Sequence, residues 1–509
     1  MGSLSWLDWT ICIGYLVVVL AMGSWFARKQ QTNEDYFVGG RSMHWLPIGL
    51  SLFASIFSSL SFVGLPREAA YDDYHLYLAI LIIPFVAMPI VSRVFLPLYL
   101  RLRVTSAYEY LELRFNRPLR LAASFLCSLY MFGWMGAMLL AVGVILQAVL
   151  GLDETQLLWT LVFTGLFATL YTTFGGVKAV IWTDVLQAIT LGGGMLVVLF
   201  LTVGRIDGGW STVWEVGTRY DKFEMFEMRW DPTDRGNFFS ACAFGVFVYI
   251  SSFAVFQGAV QRYVAMPTVK VARTSLVLNA TLTVVVCLLF FLVGTTLFGF
   301  YHHALPAGAE AGSGFPALPP GKQDQLLPLF VMNELPQIGL MGLFLAALFA
   351  AAMSSVDSGI NCLTALVVSD WLSNRKMGVR FSRVLCFSFG TGVILTAVIL
   401  QTWENNVFDT VMMIAGTFFG PLLGIFLLGI FVKRANVWGA AAGFLASLAS
   451  VGWVLWTKDT NQISHWWYAA FGCLPMLVVG TLVSLLFPPP PREKTEGLVL
   501  GRSLRWEGE

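Results

Sequence analysis

Within the stretch Ala351-Ala352-Met353-Ser354-Ser355-Val356-Asp357-Ser358-Gly359-Ile360-Asn361, a carboxylate, three hydroxyls and an amide interrupt an otherwise apolar run. Met341 to Val368 is long enough, as a helix rising about 1.5 Å per residue, to cross the ~30 Å hydrocarbon layer of a membrane. An acid at the centre of such a helix costs roughly 2.5–3.5 kcal/mol on insertion scales, so something must compensate for Asp357. Helical residues at i, i+3 and i+4 share a face. Ala351, Ser354 and Ser355 therefore form one polar patch, and Ser354, Asp357 and Ser358 form a second that shares Ser354. Oxygen ligands without soft nitrogen or sulfur partners suit a small hard cation, and no zinc or haem ligand set accompanies them. Serines in membrane helices as often bond back to the i−4 carbonyl. Asp357 is what favours an ion site.

Three other segments carry polar residues at membrane depth. Leu52 to Pro66 holds four serines (Ser55, Ser58, Ser59, Ser61) followed by Gly64 and Pro66, which weakens helical continuity halfway across. Unwound backbone at that depth is tolerated where it lines a cavity, and its freed carbonyls are potential cation ligands; close packing of small residues is the competing reading. Gly175-Gly176 predicts a turn, with Lys178 at the interface and Asp184 further into the next span, either as an interfacial solvated acid or as a cation ligand. Between 239 and 264, Gly245, Tyr249, Ser251, Ser252 and Gly258 break another apolar run ahead of Gln261-Arg262-Tyr263. Corresponding breaks in two halves of a chain point to a transporter site. His44, His75, His302, His303 and His465 fall at span ends or in loops and read as solvated interface residues.

The elements that must position these groups follow from composition. With 57% hydrophobic and 12% charged residues, the 509-residue chain falls far below the roughly one-quarter charged content of soluble proteins. A net charge of +1 without a basic arm argues against nucleic acid. The seven cysteines lie in apolar segments with no C-x-x-C spacing, so they read as small buried hydrophobes. Thirteen spans are expected, near 7–27, 45–65, 76–100, 119–150, 158–174, 179–203, 239–261, 274–300, 338–369, 382–402, 407–432, 437–457 and 466–487. The first reads as a retained span, not a signal peptide. Arg and Lys concentrate in alternate connections, which places the N-terminus outside, the 488–509 tail in the cytoplasm, and the long loops 204–238 and 302–335 outside. No appended soluble module is expected, and no acid–base or metal constellation supports a membrane-embedded enzyme.

The residues resemble the sodium/solute symporter family over nearly the whole chain. The likeness runs through Tyr36-Phe37-Val38-Gly39-Gly40-Arg41-Ser42, Thr105 to Phe115, Trp182-Thr183-Asp184 with Gln187, Gln261-Arg262-Tyr263, Gly420-Pro421-Leu422-Leu423-Gly424 and Lys433-Arg434-Ala435-Asn436. The resemblance implies an all-α polytopic membrane protein with a LeuT-like inverted repeat of five plus five helices. The leader would be 7–27, the repeats about 45–203 and 239–432, and the extra helices 437–487, all in one transporter domain over 1–487. It implies a sodium site made of the carbonyls of Ala54, Phe57 and Ala351 with the hydroxyls of Ser354 and Ser355. A second cation site would use Asp184, Ser354, Asp357 and Ser358, with Asp357 standing where relatives carry a hydroxyl, so that sodium and a proton are both open there. Solute would bind near Ser58, Ser61, Tyr249, Ser252 and Met412. The expected function is sodium-coupled symport of a small organic solute, leaning to a monocarboxylate, anion or vitamin-like molecule, with sugar or proline-like amino-acid symport as the alternative and a passive channel or sensor behind it. Na+ is the expected coupling ion, the lipid bilayer the expected surrounding, and no organic cofactor is expected.

Overall fold

The computed structural model describes residues 5–27, 32–302, 323–334, 339–373, 377–402 and 407–501, and among these every regular element is helical. In chain order the main helices are α1 (Trp6–Ala27), α2 (Trp45–Ile56), α3 (Ser59–Tyr71), α4 (His75–Leu102), α5 (Arg117–Leu150), α6 (Glu154–Val203) and α7 (Phe238–Ala254). They continue as α8 (Gln257–Val264), α9 (Val269–His302), α10 (Leu340–Leu366), α11 (Val379–Gln401), α12 (Val407–Phe431), α13 (Val437–Trp456) and α14 (Tyr468–Leu486). Ten are long and apolar enough to cross a membrane, and the bent pairs α2/α3 (63°) and α7/α8 (45°) raise the number to twelve.

The fifty residues of α6 would extend about 75 Å as a straight helix, far more than a ~30 Å bilayer needs. The helix is broken at Gly176, whose φ of 61° and ψ of −169° lie outside helical geometry. Tyr171 and Thr183, about 18 Å apart on a straight helix, both reach the same oxygen of Asp357, at 2.6 and 3.3 Å, so the chain folds back there. Counting the two arms separately gives the thirteen spans expected. Glycine is required at this turn because a Cβ would lie 3.0 Å from the Tyr36 carbonyl oxygen and the φ is left-handed.

α10 lies at the centre, packed against α1, α5, α6 and α11, while α13 and α14 form a pair against α12. Every residue of α10 from Ala350 to Leu366 is buried. α1 seats its Asp8 carboxylate on the start of α10, accepting the Gly342 N–H at 2.8 Å. Large apolar side chains such as Ile13, Phe163, Phe200, Leu445 and Leu482 are exposed on the outer faces of α1, α6, α13 and α14, as expected of surfaces bathed in lipid.

Some charges counted for orientation have fixed protein partners. Arg114 is buried and donates from Nε to the Gly429 carbonyl at 2.9 Å, capping the end of α12. Arg120 pairs with Asp370 at 2.6 Å. The histidine reading also needs correction. His44 is exposed, but His75 and His302 are buried, His75 accepting the Glu227 N–H at 3.1 Å and His302 stacking on Phe298 at 4.0 Å. His303 and most of the 302–335 loop lie outside the described residues. The start of the tail is docked, with the Leu500 N–H on the Ile430 carbonyl at 2.9 Å and the Tyr110 hydroxyl on that of Leu498 at 3.0 Å.

Candidate ion and solute site

The break between α2 and α3 is written into the local chemistry. Ser58 is extended (φ −111°, ψ 172°) and caps α3, its hydroxyl accepting the Ser61 N–H at 3.4 Å. Phe57, also extended, ends α2 with its N–H on the Phe53 carbonyl at 3.1 Å. The Ala54 carbonyl lies in the last turn of α2, where the ladder runs out. It meets the Ser354 hydroxyl of α10 at 3.2 Å, and that hydroxyl is also 3.0 Å from the Ala351 carbonyl. Ser355 is fully buried, and its Oγ meets no hydrogen-bond partner among the described residues. A buried hydroxyl left without a partner is costly in a packed helix pair, and oxygen donors of this kind suit a hard cation. Of the five expected sodium ligands, Ala54, Ala351 and Ser354 meet at the break.

The second set is arranged differently from a single ligand cluster. Asp184 is fully buried, not interfacial, and one oxygen pairs with the Arg262 guanidinium at 2.9 Å while accepting the Ser51 hydroxyl at 2.5 Å. Arg262 also donates to Ser51 Oγ at 2.7 Å, to Ser358 Oγ at 2.7 Å and to the Gly258 carbonyl at 2.8 Å. Asp357 accepts the Tyr171 hydroxyl at 2.6 Å and the Ser358 N–H at 2.5 Å. Ser354 turns away toward Ala54. Ser358 and Asp184 therefore meet through Arg262, while Asp357 occupies a neighbouring pocket of hydroxyls. The second oxygen of Asp184 is buried and has no hydrogen-bond partner among the described residues. The guanidinium thus pairs with Asp184 alone, and Asp357 is held by hydroxyls and a backbone N–H.

All five solute candidates, Ser58, Ser61, Tyr249, Ser252 and Met412, line one cavity of about 1120 Å³, part of it open to solvent. It lies between the two broken pairs, and among the described residues Arg262 is the single charged one on its wall. Most of the wall is apolar or aromatic. Tyr130 and Trp134 of α5, Phe256 in the α7/α8 break and Phe419 of α12 form an aromatic cluster on one side, with Tyr130 and Phe419 centred 4.4 Å apart.

Arg262 was missed as a site residue because a Lys/Arg count treats every basic residue near a span end as solvated. The signal available was Arg262's separation of one helical turn from Gly258 inside a glycine-interrupted span. Tyr171 and Thr183 were equally missed, since nothing in their spacing reveals that the chain folds back at Gly176.

Two broken helices on either side of a cavity, with a hydroxyl of a third helix against a carbonyl at one break, are the arrangement of a cation-coupled secondary transporter. The sodium:solute symporter family matches residues 36–447, and the chain belongs to it. It is 32% identical over 505 residues to the sodium/sialic acid symporter SiaT of Proteus mirabilis (strain HI4320), covering 96% of this chain and 97% of that protein. It is 31% identical over 533 residues to sodium-coupled monocarboxylate transporter 2 of Homo sapiens, covering 94% and 84%. Among solved structures it is similar to the substrate-bound outward-open state of a Na+-coupled sialic acid symporter, with a TM-score of 0.83 at 30% identity over 95% of this chain and 99% of that one. The chain is thus a multi-pass sodium-coupled symporter with a LeuT-like fold, as its residues led one to expect.

Proposed function

We propose that the chain takes up a small organic anion with a largely apolar body, such as a monocarboxylate or a vitamin-like acid, together with sodium by alternating access. The observation that carries this reading is the cavity wall, where seven hydroxyls, those of Ser55, Ser58, Ser61, Tyr130, Tyr249, Ser252 and Thr283, are outnumbered by aromatic and aliphatic side chains. Buried donors and acceptors without partners are costly, so such a wall disfavours a sugar whose every carbon carries a hydroxyl. A second reading, transport of a polyhydroxylated acid, is favoured by the full-length similarity to a sodium/sialic acid symporter.

Sodium sits between the carbonyls of Ala54, Phe57 and Ala351 and the hydroxyls of Ser354 and Ser355. There it ties α2 to α10 and favours the outward-open state. A second cation, sodium or a proton, is held near Asp357 and Ser358, beside the Asp184–Arg262 ion pair. Each cation entering contributes about 2.3 kcal/mol per 100 mV of membrane potential. The N-terminus lies outside and the tail in the cytoplasm, as the loop charges suggest.

The test is sodium-driven uptake into proteoliposomes of a labelled panel comprising short and aromatic monocarboxylates, sialic acid, glucose and proline. Concentrative uptake of an apolar monocarboxylate that stops when the sodium gradient is collapsed supports the reading. Uptake of sialic acid alone replaces it with the second, and solute equilibration without sodium dependence would sink both.

A further inference from the structure

Arg235, in the connection between α6 and α7, stands amid a cluster of charges contributed by four elements. Its guanidinium lies 3.1 Å from Glu68 and 3.3 Å from Asp72 at the end of α3, and 3.0 Å from Asp409 in the first turn of α12. Arg67 pairs with Glu68, lies 3.6 Å from Asp72 and donates to Gln323 at 2.7 Å. His465, just ahead of α14, is 3.9 Å from Asp409.

The cluster stands directly above the cavity. Leu65 of α3 and Met412 of α12 both line it, and Glu68 and Asp409 each lie three residues, about one helical turn, further from it on the same helices. The loop that carries Arg235 is itself fixed. Asn237 caps α7 by accepting the Ser240 N–H at 2.9 Å, and its amide holds the carbonyls of Asp231 and Asp234 at 2.5 and 2.6 Å. Arg235 is thereby joined to the start of the second broken pair while it grips the end of the first. The planar guanidinium presents its donors to two carboxylates in a fixed fork, a geometry that the flexible point charge of an ammonium does not hold.

We infer that Arg235 is the bolt of a latch that closes the outer mouth, clamping α3 and the start of α7 to α12 one turn above the solute cavity. Opening requires Asp409 to part from Arg235, and the latch sets how often the cavity is exposed to the outside. The inference rests on the alternating-access reading and orientation proposed above, but its test reads access alone and needs neither solute nor sodium.

Cys287 is a free cysteine on the cavity wall and supplies a native reporter. Intact cells expressing the full chain in sodium-free medium are treated with a charged, membrane-impermeant methanethiosulfonate reagent, and the adduct on Cys287 is quantified by peptide mass spectrometry. Arg235→Ala is expected to label about five-fold faster than wild type, the factor that corresponds to about 1 kcal/mol of latch, with Arg235→Lys between the two. Equal rates in all three proteins, each eluting as a folded monodisperse species, would overturn the latch. Should Arg235→Ala fail to fold, Asp409→Asn is expected to accelerate labelling in the same direction, and an unchanged rate there overturns it equally.

Discussion

The sharpest test of the sodium site separates two adjacent serines that a sequence would treat alike. Ser355 Oγ has no partner among the described residues, whereas Ser354 Oγ lies within hydrogen-bond distance of the Ala54 and Ala351 carbonyls. Replacing Ser355 with Ala removes a buried unsatisfied group, so sodium-free stability should not fall. Replacing Ser354 with Ala forfeits a hydrogen bond worth about 0.5–1.5 kcal/mol and leaves a carbonyl unmet at a further cost of about 1–3 kcal/mol. Sodium at one hundred times its dissociation constant stabilises the folded state by about 2.7 kcal/mol, and a tenfold loss of affinity removes about 1.4 kcal/mol of that. Ser355→Ala should therefore keep its unfolding midpoint in choline chloride and lose about half of the upward shift produced by sodium chloride. Ser354→Ala should lose on both counts. The assay is thermal unfolding of purified protein in nanodiscs across a sodium–choline series. If Ser355→Ala falls in choline as far as Ser354→Ala does, yet retains the full sodium shift, its hydroxyl is a packing group and the site is wrong.

Arg262→Ala leaves the Asp184 carboxylate buried beside Asp357 and should cost about 3–5 kcal/mol; adding Asp184→Asn should restore part of that, and a double-mutant cycle of unfolding midpoints measures the coupling. Gly176→Ala should destabilise by roughly 1–2 kcal/mol or more through its left-handed φ alone, read as a lower midpoint, whereas Gly192→Ala, with open space at its Cβ, should be nearly silent. Ser61→Phe should fill the solute cavity and abolish uptake while leaving the sodium-induced stabilisation intact. Equal loss of both would mean that the cavity and the ion site are not separable.

Much of the architecture was legible because a bilayer admits few solutions: apolar runs of spanning length must be helices, and serines, glycines and prolines inside them mark breaks. A break between 55 and 66 and another between 245 and 258 were foreseen on that ground; they fall at Phe57–Ser58 and Val255–Phe256, while Gly64 and Pro66 sit inside an unbroken α3. The partners of the buried charges were not. Arg262, Arg114 and Arg120 look alike in sequence, each a basic residue near the end of a span, yet one joins Asp184, one caps the carbonyls of α12 and one holds Asp370. The latch was equally hidden, since its members come from positions as distant in the chain as Glu68, Arg235 and Asp409, and only the closure of the bundle brings them within reach of one guanidinium.

The same broken pair bears on both proposals, with Ala54 on α2 meeting the Ser354 hydroxyl and Glu68 on α3 meeting Arg235. Sodium, on the proposed mechanism, favours the outward-open state, whereas the latch favours closure, so the two oppose each other through one equilibrium. Linkage makes that opposition reciprocal: whatever raises the open population raises the apparent sodium affinity by at most the same factor. Arg235→Ala should therefore lower the sodium concentration needed for half-maximal stabilisation by up to about five-fold if the closed state predominates in wild type. Ser355→Ala should raise that concentration without moving the labelling of Cys287 in sodium-free medium. If the Arg235 variant opens the mouth yet leaves sodium affinity unchanged, sodium binds open and closed states alike, and the coupling between the ion site and the outer mouth must run through another element.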